Sequence, residues 1–219
     1  MINKKIHYIW FGKKPYPEII NKCMLSWKKK LPDYEFKLWN EDNSPIEIPY
    51  VKKALEKKYY AFAADYVRLY ALYTEGGIYL DTDMEIVKDL SPLLNSKLFL
   101  GYESKDLINV AIIGSEKNHF LLKEIMQTLE QSNNYENIPK VISNIFDKNP
   151  DLYRDESIKI YPPKFFYPYN PYDPERKDLE LMYMDIVEDT YAIHHWGKSW
   201  KLSFQDRLKR KINNFIKKN

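Results

Sequence analysis

The chain has 219 residues, 44% of them hydrophobic, and its 34 basic and 31 acidic side chains leave a net charge of +3. That length fits one domain of roughly 100–200 residues with a small appendage, and the near balance of charge carries no nucleic-acid footprint. One cysteine, Cys23, excludes an intrachain disulfide and fits a reducing compartment.

The opening "MINKKIHYIWFG" lacks an apolar core of signal-peptide length, and no stretch approaches the ~20 apolar residues of a membrane span. The chain therefore reads as cytoplasmic, or as peripheral to the inner face of a membrane. "KKIHYIWF" (4–11) is a short apolar run that predicts a first strand. "PEIINKCMLSWKKK" (17–30) opens on Pro17, spaces Ile20, Met24 and Trp27 helically and closes in lysines, which suits a helix C-terminus. "YEFKLWN" (34–40) alternates as a strand does. Strand, helix, strand is the start of a parallel α/β sheet.

"YAFAADYVRLYALYTEGG" (60–77) predicts a helix stopped by Gly76-Gly77. "IYLDTD" follows as a short strand, and "KLFLGYE" (97–103) and "NVAIIGS" (109–115) predict two more. "HFLLKEIMQTLEQ" and "NIPKVISNIFDKN" predict helices. Residues 150–175, rich in Pro and Tyr, suit an irregular wall or lid. "DTYAIHHW" (189–196) predicts a last strand. From 203 to 219 the chain places Leu208, Ile212, Phe215 and Ile216 on one helical face. Residues 207–219 carry six Lys or Arg and no acid, so this basic amphipathic tail either packs on the domain or docks on anionic lipid.

The most informative stretch is "GGIYLDTDMEIVKDL" (76–90). Aspartate is a poor strand former, yet the apolar run ends in Asp81-Thr82-Asp83. On an extended chain these two carboxylates face one way, about 6.6–6.8 Å apart. Hard oxygen ligands in small number suit Mg²⁺ or Mn²⁺, which keep sites open for water and substrate phosphates. Ligands of open α/β sheets bind outside the carboxyl ends of strands. Two solvated aspartates in a turn are the plain alternative. A calcium loop counted from Asp81 is excluded, because Ile86 and Pro92 stand where Gly and Glu are required. Asp65 and Arg68, three apart on the preceding helix, share a face. They form either a surface ion pair or a pair of groups that holds a polyhydroxylated ligand beside a metal diphosphate.

"AADYVRLYALYTEGGIYLDTDMEIVKDL" resembles the sugar-binding region of glycosyltransferase family 32, which includes capsular-polysaccharide transferases and shares its core pattern with the large clostridial glucosylating toxins. Asp65, Arg68, Tyr79, Asp81 and Asp83 carry the match. "KIHYIWFG", "FKLWNED", "NVAIIGSEKNH" and "AIHHWGKSW" extend it from about residue 4 to 200, whereas 116–188 carries few matching motifs.

The resemblance implies a GT-A-type nucleotide-diphospho-sugar transferase fold over 1–202, with a Rossmann-like, mainly parallel sheet flanked by helices, and 203–219 as an appended helix. It implies an enzyme that transfers sugar, with retention, from a UDP- or GDP-sugar to a glycan or lipid-linked acceptor of bacterial surface polysaccharide synthesis, using Mn²⁺ or Mg²⁺. Asp83 would be the direct metal ligand, and Asp81 would hold the ribose and support the metal shell. Asp65 and Arg68 would bind donor sugar hydroxyls. Trp10 would stack on the base, Tyr79 would pack beside the donor, and Asn109 lies in a segment near the sugar. Ser199 and Trp200 would contact the diphosphate. A histidine would complete the metal site. His194 and His195 point to opposite faces of a strand, and the spacing to Ser199-Trp200 favours His194. A binding protein that has lost turnover, and a toxin-like transferase acting on proteins, are the rival readings.

Overall fold

A computed structural model describes residues 1–105, 107–132, 135–172 and 181–197. Ser199, Trp200 and the basic tail 203–219 lie outside the described residues. Six strands form one sheet in the order β2-β1-β3-β6-β5-β7. These are β1 (Lys5–Ile9), β2 (Glu35–Trp39), β3 (Gly77–Leu80), β5 (Leu98–Ser104), β6 (Leu107–Ser115) and β7 (Ile158–Tyr161). β1 runs parallel to β2 and β3, and β5 parallel to β7. β6 is antiparallel to both of its neighbours. The sheet is thus parallel apart from one strand, in keeping with the strand-helix-strand opening.

Helices cover both faces. α2 (Pro49–Glu56), α3 (Tyr60–Glu75), α4 (Phe120–Gln131) and α5 (Ile138–Lys148) lie on one side, and α1 (Glu18–Lys30) lies on the other. β3 shows why a short apolar run is sufficient. Tyr79 joins the core under α3, Ile78 and Leu80 join the core under α1, and all four residues of the strand are buried. A strand covered on both faces needs no polar alternation.

In 150–196 one strand was not read from the sequence, and the last strand that was read is present. β7 lies within the Pro- and Tyr-rich segment and pairs with β5 at the sheet edge. β8 (Ala192–His194) is a strand, but it pairs antiparallel with β4 (Met84–Ile86) in a separate two-stranded sheet. α1 braces β4. Trp27 Nε1 donates to the Met84 carbonyl at 2.6 Å, the Ile86 amide donates to Ser26 Oγ at 2.9 Å, and Ile20, Cys23 and Trp27 form the buried face of the helix.

The α3–β3 join is fixed from below by a histidine. His7, fully buried on β1, donates through Nε2 to the Gly76 carbonyl at 2.8 Å, and its Nδ1 accepts from Trp39 Nε1 at 3.0 Å. Both ring nitrogens are used by the neutral form only. The role of this histidine is therefore structural, with Gly76 and Trp39 as its partners. Gly77 (φ +107°) runs so close to β1 that an added Cβ would lie 2.5 Å from the Lys5 carbonyl oxygen. That backbone is open to glycine alone.

Burial lowers the His7 pKa below its ordinary 6.5, although the Gly76 carbonyl opposes the shift. A depressed pKa means that the unfolded chain binds the proton more tightly. The His7 contribution is therefore complete above pH 6.5 and is lost as pH falls through and below that value. Urea unfolding of wild type and His7→Gln across pH 5–8 should show the wild-type advantage shrinking toward acid. An advantage that grows toward acid would mean that His7 is charged in the folded protein.

Candidate active site

The C-terminal ends of β1, β2 and β3 point the same way, and β3 delivers Asp81 to that end. The chain does not continue extended through Asp83. The Met84 amide donates to the Asp81 carbonyl at 3.0 Å, which closes a turn over Thr82-Asp83. The strand geometry expected for the Asp-x-Asp pair is corrected here: a turn, rather than two-residue alternation, aims both carboxylates. Ligand atoms of Asp81, Asp83 and His194 all lie within 4.8 Å of one another.

β8 supplies the histidine, 110 positions after its β4 partner strand begins. His194 Nε2 lies 3.4 Å from Asp83 Oδ1, whereas the His195 ring turns away to Glu85 at 2.8 Å. The two rings thus take opposite faces. The Asp83 main chain accepts from the His195 amide at 3.1 Å, and Asp83 Oδ2 accepts from the Gly197 amide at 2.6 Å. Burial would raise the Asp83 pKa, but the contact with His194 and the Gly197 amide together hold it below the ordinary carboxylate value. His194 Nδ1 is buried and has no hydrogen-bond partner among the described residues. The ring is instead held by packing on Trp196, with centroids 4.2 Å apart, and on Tyr167 at 5.9 Å.

Trp196 carries φ +53°, a strained conformation for a bulky residue that costs about 1–3 kcal/mol. It anchors itself by donating from Nε1 to the Tyr169 carbonyl at 2.7 Å. The strained residue sits between the histidine and the Gly197 amide that reach Asp83.

On the other side stands a second charged group. Arg68 is 6% exposed, so the surface-pair reading of Asp65 and Arg68 does not hold. Its guanidinium reaches Asp65 Oδ1 at 2.8 Å, Asp81 Oδ1 at 3.2 Å and the Val110 carbonyl at 2.8 Å, and it lies 4.5 Å over the Tyr79 ring. The Tyr79 hydroxyl donates to Asp81 Oδ1 at 2.7 Å. Burial pushes Asp65 up to about 7 against the pull of Arg68, and the nearby Asp81 charge adds to the rise. Burial would lower Arg68, yet Asp81, Tyr79 and Asp65 more than reverse that.

A polar chain leads from Asp81 across β6. The Asp81 amide donates to the Ala111 carbonyl at 2.7 Å, and the Ala111 amide donates to Asn109 Oδ1 at 2.7 Å. Asn109 Nδ2 then donates to Glu103. Burial raises Glu103. Trp10 stands half-buried just past β1, edge-on to Tyr16 at 4.9 Å, with its Nε1 donating to the Lys14 carbonyl at 2.7 Å.

Sequence reasoning missed Glu103, Tyr167, Trp196 and Gly197. Tyr167 comes from the Pro- and Tyr-rich segment read as a wall, and that composition was its one signal. It is 2% exposed and its hydroxyl accepts from the Ile112 amide at 3.3 Å.

Two carboxylates and an imidazole, converging at a strand end beside a buried Asp–Arg pair, form a donor set suited to Mg²⁺ or Mn²⁺. Residues 17–100 match the family model described as the glycosyltransferase sugar-binding region containing the DXD motif. Over those residues the chain is similar to a glycosyltransferase sugar-binding region. The match takes in Asp65, Arg68, Tyr79, Asp81 and Asp83, and it stops short of Asn109 and His194. The rat lactosylceramide 4-alpha-galactosyltransferase is 30% identical over 149 residues, covering 62% of this chain and 40% of that protein. The chain thus spans about two fifths of the length of this relative. The galactosyltransferase LgtC, solved with donor and acceptor sugar analogues, superposes with a TM-score of 0.52 at 14% identity over 94% of each chain. The PaToxG glycosyltransferase superposes with a TM-score of 0.56 at 21% identity, over 69% of this chain and 71% of that one. The fold is the GT-A glycosyltransferase fold.

Proposed function

We propose that this protein is a metal-dependent, retaining glycosyltransferase that moves a sugar from a nucleoside-diphosphate donor to a glycan or lipid-linked glycan, in bacterial surface polysaccharide synthesis. One observation carries the reading: Asp81, Asp83 and His194 converge within reach of the Arg68 fork that also grips Asp65. The rat relative, whose name places it on lactosylceramide, supports an acceptor of glycolipid type.

In this reading Asp83 and His194 hold the cation, and Asp81 holds the donor ribose and supports the metal shell. A bound Mn²⁺ or Mg²⁺ supplies Lewis-acid stabilisation of charge on the departing diphosphate. Asp65 and Arg68 take the sugar hydroxyls. Tyr79 and Asn109 fix the groups around the donor through Asp81 and Glu103, and Trp10 offers its ring to the base. Ser199 and Trp200 would close on the diphosphate. The acceptor hydroxyl attacks the face that the diphosphate leaves, and the diphosphate oxygen takes its proton. Among the described residues no helix is long and apolar enough to cross a membrane. Peripheral contact at the inner face, through the basic tail, is part of the proposal.

Thermal shift with UDP- and GDP-sugars plus Mn²⁺ tests it. Ligand at 100 times its Kd stabilises by about 2.7 kcal/mol, which for a chain of this size raises Tm by roughly 5–11 °C. Hydrolysis of the same donor should require the metal. A protein that no nucleotide sugar stabilises with Mn²⁺ would sink the reading, and one that is stabilised but never turns over donor would be a binder.

A further inference from the structure

Phe62 stands one helical turn before Asp65 on α3, so the two share a face. α3 begins at the same end of the molecule where β1 finishes, since the Tyr60 ring lies against Gly12. Aromatic side chains gather there. Tyr135 stacks on Phe62 with centroids 4.9 Å apart and planes 24° apart, and Tyr59 closes edge-on against them at 6.1 and 5.6 Å. Tyr59, Phe62 and Tyr135 are all partly exposed. Beneath them Tyr50 packs edge-on to Tyr135 at 5.2 Å. Tyr50 is 8% exposed, and its buried hydroxyl has no hydrogen-bond partner among the described residues.

We propose that Tyr59, Phe62 and Tyr135 form a subsite for a hexopyranose of the acceptor, with the Tyr50 hydroxyl as its buried polar anchor. The inference rests on the glycosyltransferase reading and names where its second substrate sits. A pyranose presents apolar C–H faces and a rim of hydroxyls. Partly exposed aromatic rings with a few convergent polar groups match that chemistry. A buried hydroxyl left unpaired is costly, and a sugar hydroxyl or its bridging water relieves that cost. The Lys57 amine, 5.7 Å over Tyr135 on an exposed side chain, can add a donor at the rim. The face is continuous with Asp65, which is contacted by Arg68 at the donor site.

Saturation-transfer NMR on the full chain with UDP and Mg²⁺ tests this, using lactose, methyl β-D-galactopyranoside and methyl α-D-mannopyranoside as probes. At least one should receive saturation from wild type. Tyr135→Ala and Phe62→Leu should weaken it at least fivefold while UDP affinity stays within twofold. Tyr50→Phe removes only a hydroxyl that has no partner among the described residues. It should keep or raise Tm, yet weaken the sugar about 2–10-fold, the worth of one hydrogen bond. A plain packing role predicts no such loss. Sugar binding unchanged in all three variants, or none of the probes bound by a wild type that binds UDP, would overturn the subsite. Failure to bind UDP or GDP at all strikes the donor reading first, and the subsite falls with it.

Discussion

Asp83→Ala is expected to abolish Mn²⁺-dependent donor turnover and to leave a folded chain. Asp83 is the carboxylate that His194 faces, and a hard cation with one protein oxygen fewer has too little to hold it. Metal stabilisation of a transition state is worth several kcal/mol, so turnover should fall roughly 10³-fold or more. The fold survives because β4 and β8 pair through their backbones, and the His195 amide bonds to the Asp83 main chain. The stability cost is that of leaving the Gly197 amide unpaired, about 1–3 kcal/mol. Turnover, Mn²⁺ affinity by electron paramagnetic resonance and a urea melt are the three measurements. Wild-type Mn²⁺ affinity in a folded, active variant would contradict the assignment.

Arg68→Lys should fail just as plainly, for a geometric reason. The guanidinium serves Asp65, Asp81 and the Val110 carbonyl while its Cζ lies 4.5 Å over the Tyr79 ring. An ammonium is a point charge on a flexible stem and cannot reproduce a planar fork. An exposed ion pair would cost about 0–1 kcal/mol to break, but this one is buried, and breaking a buried pair costs about 3–5 kcal/mol. The lysine keeps the charge, so its stability loss should fall below that range. Turnover should drop on the order of 10²-fold, because Asp65 and Asp81 both lose their shared anchor. The comparison that decides is turnover against unfolding midpoint in Arg68→Lys and Asp65→Asn. If turnover follows stability alone in both, Arg68 only braces the helix.

The parts of this site legible in the sequence were those that obey local periodicity. Asp65 and Arg68 announce themselves by helical spacing, and the Gly76-Gly77 stop aims the helix into β3. The adjacent histidines could be separated because a strand must send neighbours to opposite faces. The turn at Thr82-Asp83 stood only as an alternative, because nothing in Asp-Thr-Asp distinguishes a strand end from a turn without its partner strand. β4 and β8 have three residues each, too few for a period, and their pairing joins positions more than 100 apart. β7 hides among prolines because an edge strand pairs on one side only. Glu103 became a site residue only when the β5–β6 pairing carried it to Asn109. α2, a short helix opened by Pro49, left no periodic signal long enough to read.

Cys23 turns the bracing of β4 by α1 into a clock. Its thiol is 1% exposed, and burial, with Asp83 and Glu85 adding, pushes its pKa up to about 12. A neutral, covered thiol does not react, so in the native protein it is silent to alkylating reagents. It becomes reactive when α1 lifts from β4, the strand that follows Asp83. With no second cysteine in the chain to confuse the count, the rate of thiol labelling times the local opening of the wall behind the site. Nucleotide and cation, by tying Asp83 down, should slow that rate, so one unmodified side chain reports site closure from behind.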